Sequence, residues 1–125
     1  MGDITRIAII GAGTMGRGIG QEFARAGYPV TLYRRSEAGL QQALAHIRRN
    51  LDELVEWRLL PAGDVSPILA RLRTTTSLVE ALAGADLAIE AVVENLELKQ
   101  QVFAEMDGLA PSHTILASNT SSIMP

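Results

Sequence analysis

The sequence predicts an α/β domain in which helices cover a parallel β-sheet, and three observations lead to this prediction. Short apolar segments rich in β-branched residues alternate with longer segments of helical periodicity, which is the pattern of repeated β-α units. The first apolar segment ends in a glycine-rich loop that opens a helix. With 125 residues, 47% of them hydrophobic, the chain can bury the core of one such domain, so residues 1–125 are predicted to be a single domain.

Five segments are predicted to form strands. Residues 6–10 are a short β-branched run that stops at a glycine, and residues 29–33 have proline only at the start, where a strand tolerates it. The polar run 73–76 predicts a strand near the edge of the sheet. The remaining strands are predicted at 87–93 and 114–117. The expected strand order of this doubly wound sheet is 3-2-1-4-5.

Helices are predicted to connect these strands. Residues 14–26 have apolar side chains at helical spacing, and Gly27 follows where a helix end favours glycine. Ser36 is the predicted N-cap of a long helix that continues to about Trp57. Shorter helices are predicted at 66–72, 78–82 and 96–106.

Composition excludes several classes of function. A net charge of −3 lacks the basic excess of a general nucleic-acid-binding protein, and the absence of cysteine removes disulfides and thiolate chemistry. No apolar run approaches the roughly 20 residues of a membrane-spanning helix, and the amino terminus lacks the pattern of a signal peptide. The two histidines, His46 and His113, have no second ligand at metal spacing. We therefore expect a cytoplasmic protein without a metal site and without nucleic-acid or membrane partners.

The glycine-rich loop has the G-x-G-x-x-G pattern that binds the pyrophosphate of a dinucleotide. It consists of Gly11, Ala12, Gly13, Thr14, Met15 and Gly16. The first glycine permits the tight turn, the second lets the backbone approach the phosphates, and the third lets the helix pack on the strand. The amino-terminal end of the helix adds N–H groups and a partial positive charge. Together with its flanking strands, the loop predicts a Rossmann-type fold that binds NAD(H) or NADP(H).

The end of the second predicted strand favours one of these two cofactors. At this position an Asp or Glu binds the 2′-hydroxyl of NAD, whereas an Arg suits the 2′-phosphate of NADP. The chain has Arg34, Arg35 and Ser36, with no carboxylate until Glu37. Two guanidinium groups and a hydroxyl can surround a phosphate, so residue chemistry favours NADP. The alternative is that Arg34 stacks on the adenine or extends into solvent.

Three blocks of sequence resemble the 3-hydroxyacyl-CoA dehydrogenases. The first is the glycine loop, 11–19; the second is 85–94 followed by Lys99; the third is the Ser-Asn-Thr-Ser-Ser segment at 118–122. The blocks occur in the family's order and span the chain. The resemblance implies the NAD(P)-binding domain of an oxidoreductase of fatty acid metabolism, which interconverts 3-hydroxyacyl-CoA and 3-oxoacyl-CoA by hydride transfer.

The resemblance also implies roles for individual residues. Val92, Val93 and Glu94 would line the nicotinamide-ribose side of the cofactor, and Lys99 would reach the same region from the next helix. Ser121 would be catalytic, because it would contact both the nicotinamide end and the 3-oxygen of the substrate. The glycine loop would contact the pyrophosphate.

The residues themselves agree with these roles in part. Glu94 follows a predicted buried strand at the edge where doubly wound folds bind ligands, although a carboxylate there also complements a helix dipole. Lys99 is the only lysine beside ten arginines, which favours a position that needs a compact ammonium; a solvated helix lysine is the alternative. Ser121 stands in a run of small polar residues that also fits a helix cap.

The sequence departs from the family pattern in two ways. The family usually has an acid where Arg34 stands. Its catalytic histidine, in a His-x-x-Asn segment, the glutamate that orients this histidine, and the helical domain that closes over the acyl-CoA would all follow Pro125. We therefore expect the chain alone to bind a dinucleotide without turnover, and the full-length protein to be a homodimer. Two alternatives remain: a gulonate- or carnitine-type dehydrogenase of the same superfamily, and a non-catalytic NAD(P)-binding regulatory module.

Overall fold

The computed structural model describes residues 4–91 and 96–118, which form a five-stranded parallel sheet with helices on both faces. The strands are β1 (Ile7–Ile10), β2 (Val30–Tyr33), β3 (Leu72–Thr75), β4 (Leu87–Glu90) and β5 (Ile115–Ser118). Their order in the sheet is β3-β2-β1-β4-β5, which confirms the predicted order. The chain winds outward from β1 in both directions, so a crevice opens beside β1 at the carboxyl edge of the sheet.

The helices between these strands begin and end largely where the sequence predicts. They are α1 (Thr14–Arg25), α2 (Glu37–Glu56), α3 (Val65–Ala70), α4 (Leu78–Ala83) and α5 (Leu96–Leu109). The Ser36 hydroxyl caps α2 by accepting a hydrogen bond from the Gly39 amide at 3.1 Å, and Gly27 has the positive φ of a helix end, 105°. Within the described ranges, none of these helices has the length and apolar character needed to cross a bilayer.

The predicted bounds of the third helix, 66–72, are wrong at both ends. A short 3₁₀ turn, Ala62–Asp64, leads directly into α3, which ends at Ala70. Leu72 instead begins β3, where it pairs with Val30 of β2. The sheet pairing overrides the local helical periodicity at this residue, because an apolar side chain beside a buried strand gains more from the sheet than from another helical turn. The position of β3 at an edge is as predicted.

The central strand β1 separates two apolar cores. Because successive side chains of a strand point to opposite faces, Ile7 and Ile9 pack against α1, α2 and α3, whereas Ala8 and Ile10 pack toward α4 and α5. All four residues are buried. Burial on both faces explains why this strand is an unbroken apolar run in the sequence.

The last residues of the five strands form one row at the carboxyl edge of the sheet. In the paired registers, this row runs through Thr75, Tyr33, Ile10, Glu90 and Ser118. The predicted strand 87–93 ends earlier, at Glu90, and its last two residues lie outside the described ranges. The loops that leave this row are the ones that can contact a ligand in the crevice.

Candidate dinucleotide site

The glycine loop makes a tight turn between β1 and α1. Gly11 has a φ of 98°, which favours glycine, and the amides of Gly11 and Ala12 both donate to the carbonyl oxygen of Tyr33 at 3.0 Å. A Cβ atom on Gly16 would lie 2.3 Å from the carbonyl oxygen of Gly11, so α1 crosses β1 too closely for any side chain. The turn and the close helix approach are those that the G-x-G-x-x-G pattern predicts.

The amino-terminal end of α1 is suited to bind an anion. Its N-cap, Gly13, carries no side chain that could cap the helix, and no acidic residue stands in the first turn. No atom comes within 4 Å of the position that a Cβ of Gly13 would take, so the backbone is open to a ligand there. Thr14 and Met15 follow with exposed side chains. Backbone N–H groups and the helix dipole therefore face an accessible site, as phosphate binding requires.

A cavity of about 270 Å³ at the carboxyl edge joins this loop to the end of β2. The residues that line it are Gly11, Gly13, Tyr33, Arg34, Arg35, Ser36, Leu78, Ala91, Val102 and Glu105. The second glycine of the loop and both predicted arginines thus lie along one continuous cavity. This cavity is beside β1, where the winding of the sheet changes direction and where doubly wound folds bind ligands.

Arg34 lies against the first turn of α2. Its guanidinium covers Gly39, where an added Cβ would be 2.9 Å from the Arg34 Cζ, and its Nη1 is 3.5 Å from the Gly39 carbonyl oxygen. A hydrogen bond of this length is weak, so the guanidinium keeps donors for a ligand. Arg35 is exposed at the rim of the same cavity. Arg34 and Arg35 thus place two cations at the end of β2, where the adenosine ribose is predicted to bind.

On the other side of the crevice, the structure brings together three polar side chains that sequence reasoning did not connect. The Lys99 Nζ on α5 lies 3.1 Å from the Glu90 Oε2 at the end of β4. The Ser118 hydroxyl at the end of β5 donates to the Glu90 Oε1 at 2.5 Å. We call these residues the Glu90 cluster. Glu90 is fully buried and Lys99 is only 4% exposed, so the interpretation of Lys99 as a solvated helix lysine is wrong.

Glu90 is the functional candidate that sequence reasoning missed, although the sequence contains a signal for it. It interrupts an otherwise apolar strand, and a carboxylate in such a strand needs a partner. Lys99 stands three and seven residues before Val102 and Met106, both buried, and therefore lies on the buried stripe of α5. A charge in an apolar strand and the chain's only lysine on the apolar stripe of the next helix are the signal by which this ion pair could have been found.

Several predicted site residues lie outside the described ranges. They are Val92, Val93, Glu94 and Ser121, and their proposed roles remain predictions. His113 lies at the opposite edge of the sheet, with its Nε2 3.3 Å from the Asp86 Oδ1. Among the described residues, no group of three or more His, Asp or Glu side chains could hold a metal ion.

The fold and the site define the class of this protein: a Rossmann-type dinucleotide-binding domain. Residues 6–125 match the model of the family described as "3-hydroxyacyl-CoA dehydrogenase, NAD binding domain". The chain belongs to this family, as the three resembling blocks predict. The matched residues correspond to the NAD-binding domain that this family model describes.

Individual relatives agree with this assignment. The chain is 41% identical over 118 residues to the 3-hydroxybutyryl-CoA dehydrogenase of Clostridioides difficile, covering 94% of the chain and 42% of that enzyme. It is 41% identical over 121 residues to the 3-hydroxyadipyl-CoA dehydrogenase of Escherichia coli, covering 97% of the chain and 25% of that protein. The solved structure of (S)-3-hydroxybutyryl-CoA dehydrogenase from Ralstonia eutropha superposes with a TM-score of 0.90 at 38% identity, covering 95% of the chain and 42% of that structure. The chain thus spans less than half the length of these relatives.

Proposed function

We propose that the chain supplies the cofactor domain for the interconversion of a 3-hydroxyacyl-CoA and its 3-oxoacyl-CoA. Its relatives are dehydrogenases of substrates of this kind. The observation that carries the proposal is the continuous cavity from the glycine loop to Arg34 and Arg35, beside the point where the sheet changes direction. It provides one extended site for the pyrophosphate and the adenosine ribose.

In this function the chain's own residues bind and orient the cofactor. When bound, the nicotinamide would supply hydride exchange with C3 of the substrate. The backbone amides at the start of α1 hold the pyrophosphate, and the loop after β2 holds the adenosine ribose. Ser121, as the family resemblance implies, holds the reacting oxygen of the substrate. The contribution of this domain is therefore positioning and electrostatics.

We test the activity in the full-length protein by following dinucleotide reduction with 3-hydroxybutyryl-CoA. The expected result is turnover that disappears in the Ser121→Ala variant, while dinucleotide binding persists. Turnover of a gulonate or carnitine substrate in place of the acyl-CoA would contradict the proposed substrate class. Dinucleotide binding without turnover of any of these substrates would instead favour the regulatory module.

We further propose that Arg34 and Arg35 allow the site to bind NADPH more tightly than NADH. Three positive features converge on the ribose side: the Arg34 guanidinium on the first turn of α2, the exposed Arg35, and the amino-terminal end of α2 itself. A 2′-phosphate accepts several charge-assisted hydrogen bonds from such groups, whereas a 2′-hydroxyl accepts fewer and carries no charge.

A paired calorimetric titration of the chain with NADPH and NADH at fixed ionic strength tests this preference. The Arg34→Asp variant should lose about ten- to hundredfold in NADPH affinity and little or none in NADH affinity, since a charge-assisted hydrogen bond contributes about 1.5–3 kcal/mol. The control is Arg48→Glu, which makes the same change of charge at an exposed position of α2 outside the cavity. Tighter binding of NADH by the unmodified chain would overturn the preference but not the site.

A further inference from the structure

The Glu90 cluster lies on the β4–β5 side of the crevice, and none of its three residues lines the cavity with Arg34. We propose that Glu90 is a positioning residue for the nicotinamide half of the dinucleotide site. Its carboxylate holds the Lys99 ammonium and the Ser118 hydroxyl in fixed places, and so sets the geometry of the β4–β5 side. This inference rests on the proposed binding of a dinucleotide across the crevice.

The position of Glu90 suits this role because it ends the strand that borders β1. Glu90 is in register with Ile10 on one side and with Ser118 on the other. The chain continues from Ile10 into the glycine loop and from Ser118 into the predicted Ser-Asn-Thr-Ser-Ser segment. Glu90 therefore stands between the pyrophosphate loop and the segment that would contact the nicotinamide.

The direction of the dinucleotide across the sheet follows from the positions of the two halves. The arginines that suit the adenosine ribose follow β2, on one side of β1. A dinucleotide that crosses the glycine loop places its other half on the opposite side, over β4 and β5. The Glu90 cluster lies on that side and joins three elements there: β4, α5 and β5.

The burial of Glu90 and Lys99 indicates a purpose other than stability. The Glu90 side chain points to the same face as Ala88, into the core between the sheet and α5. Two apolar side chains of similar volume would pack there at least as favourably as a buried ion pair, because both charges lose their hydration. What apolar side chains cannot supply is a directional contact. A buried carboxylate that accepts hydrogen bonds from two other elements restrains both donors in distance and in direction.

Glu90 therefore acts through Lys99 and Ser118, without itself touching the cofactor. Lys99 gains a defined place for its ammonium at the carboxyl edge, in spite of a long and flexible side chain. Ser118 gains a fixed hydroxyl at the last residue of β5, which is also the first residue of the Ser-Asn-Thr-Ser-Ser segment. Removal of the Glu90 charge should loosen both contacts and leave the β2 side of the crevice unchanged.

The experiment compares NADH with ADP, which contains the adenosine and pyrophosphate but no nicotinamide ribose. Affinities of the 125-residue chain for both ligands are measured by calorimetry in the unmodified chain and in Glu90→Gln. The expected result is an affinity for NADH about tenfold weaker in the variant and an affinity for ADP that changes less than twofold. Glu97→Gln is the matched control, because it removes the same charge from an exposed position of α5 and should change neither affinity.

A structural defect would give a different result, since general loosening of the fold lowers the affinities for NADH and ADP together. That outcome, or an unchanged affinity for NADH, overturns the positioning role. If Glu90→Gln does not fold, Ser118→Ala takes its place, because it removes one hydrogen bond and keeps the ion pair. It should weaken NADH about threefold and leave ADP unchanged. Failure of the unmodified chain to bind either ligand would instead overturn the dinucleotide site itself, and with it this inference.

Discussion

The two sides of the crevice recognise their ligand by opposite means. On the β2 side, Arg34 and Arg35 lie at the surface of a cavity, and their charges are available to a ligand. On the β4 side, the charges of Glu90 and Lys99 are buried and directed at each other. Cations that line a cavity can bind a phosphate directly, whereas the buried Glu90 carboxylate can act only through the groups that it holds. The comparison separates residues that contact a ligand from residues that hold the site in shape.

The difference between accessible and buried charges also predicts how much stability each side loses on substitution. A surface cation interacts with solvent in the absence of ligand, so its loss costs little stability. A buried charge depends on its partner, so its loss leaves the partner without compensation. Substitutions on the β4 side should therefore lower the free energy of unfolding more than substitutions on the β2 side do. The two sides should also differ in how substitution changes the affinity for a ligand.

The largest expected effect is that of Lys99→Met. This substitution leaves the buried Glu90 carboxylate without its ammonium partner and should lower the free energy of unfolding by about 3–5 kcal/mol. Arg34→Met loses the guanidinium contact with Gly39 but leaves no buried charge without a partner, so it should lower the free energy of unfolding by less than about 1 kcal/mol. Urea unfolding followed by circular dichroism measures both. Equal losses in the two variants would remove the distinction between the two sides.

A second substitution affects the loop that both sides share. In Gly16→Ala, the new Cβ would lie 2.3 Å from the Gly11 carbonyl oxygen, so α1 must shift away from β1. We expect a loss of about 1–3 kcal/mol in the free energy of unfolding, together with weaker binding of both NADH and ADP. Gly18→Ala is the control on the same helix, because no atom lies within 4 Å of its Cβ position. Its stability should be unchanged or slightly higher, and a similar loss in Gly18→Ala would show that the effect is not steric.

A third substitution separates stability from binding on the β2 side. The Ser36 hydroxyl lines the cavity and also caps α2 through the Gly39 amide. Ser36→Ala should lower the free energy of unfolding by about 1 kcal/mol, as the loss of a cap does. NADPH affinity should fall less than about twofold, because the arginines supply the charge. A much larger loss of NADPH affinity would make Ser36 a phosphate ligand as well as a cap.

The last prediction concerns acid pH and the opposite end of β4. Hydrogen bonds from the Thr5 hydroxyl and from the amides of Thr5 and Arg6 lower the pKa of Asp86 from 3.8 to about 2. Since the folded chain binds this proton less tightly than the unfolded chain, the contribution of Asp86 is complete above its ordinary pKa and disappears as the pH falls toward 2. Asp86→Asn should therefore flatten the loss of stability between these values in urea unfolding, and an unchanged pH dependence in this variant would contradict the prediction.

The sequence predicted those parts of the site that depend on neighbouring residues. The G-x-G-x-x-G loop is a local pattern of turn, approach and helix start, and its geometry at Gly11 and Gly16 follows from the absence of a side chain. The Glu90 cluster was not predicted, because its members lie 9 and 28 residues apart. Leu72 was likewise predicted to belong to a helix, because its pairing with Val30 in the sheet is not visible in local periodicity.

The sequence by itself therefore determined the parallel α/β fold, its strand order, the glycine loop and the family of the chain. Each of these depends on periodicity, on turn chemistry or on short motifs, which act within a few residues. Only the tertiary structure decided that the sole lysine is buried, which carboxylate it pairs with, and that Arg34 lies on the first turn of α2. These features depend on distances across the sheet edge, and such distances exist only after the strands have been placed side by side.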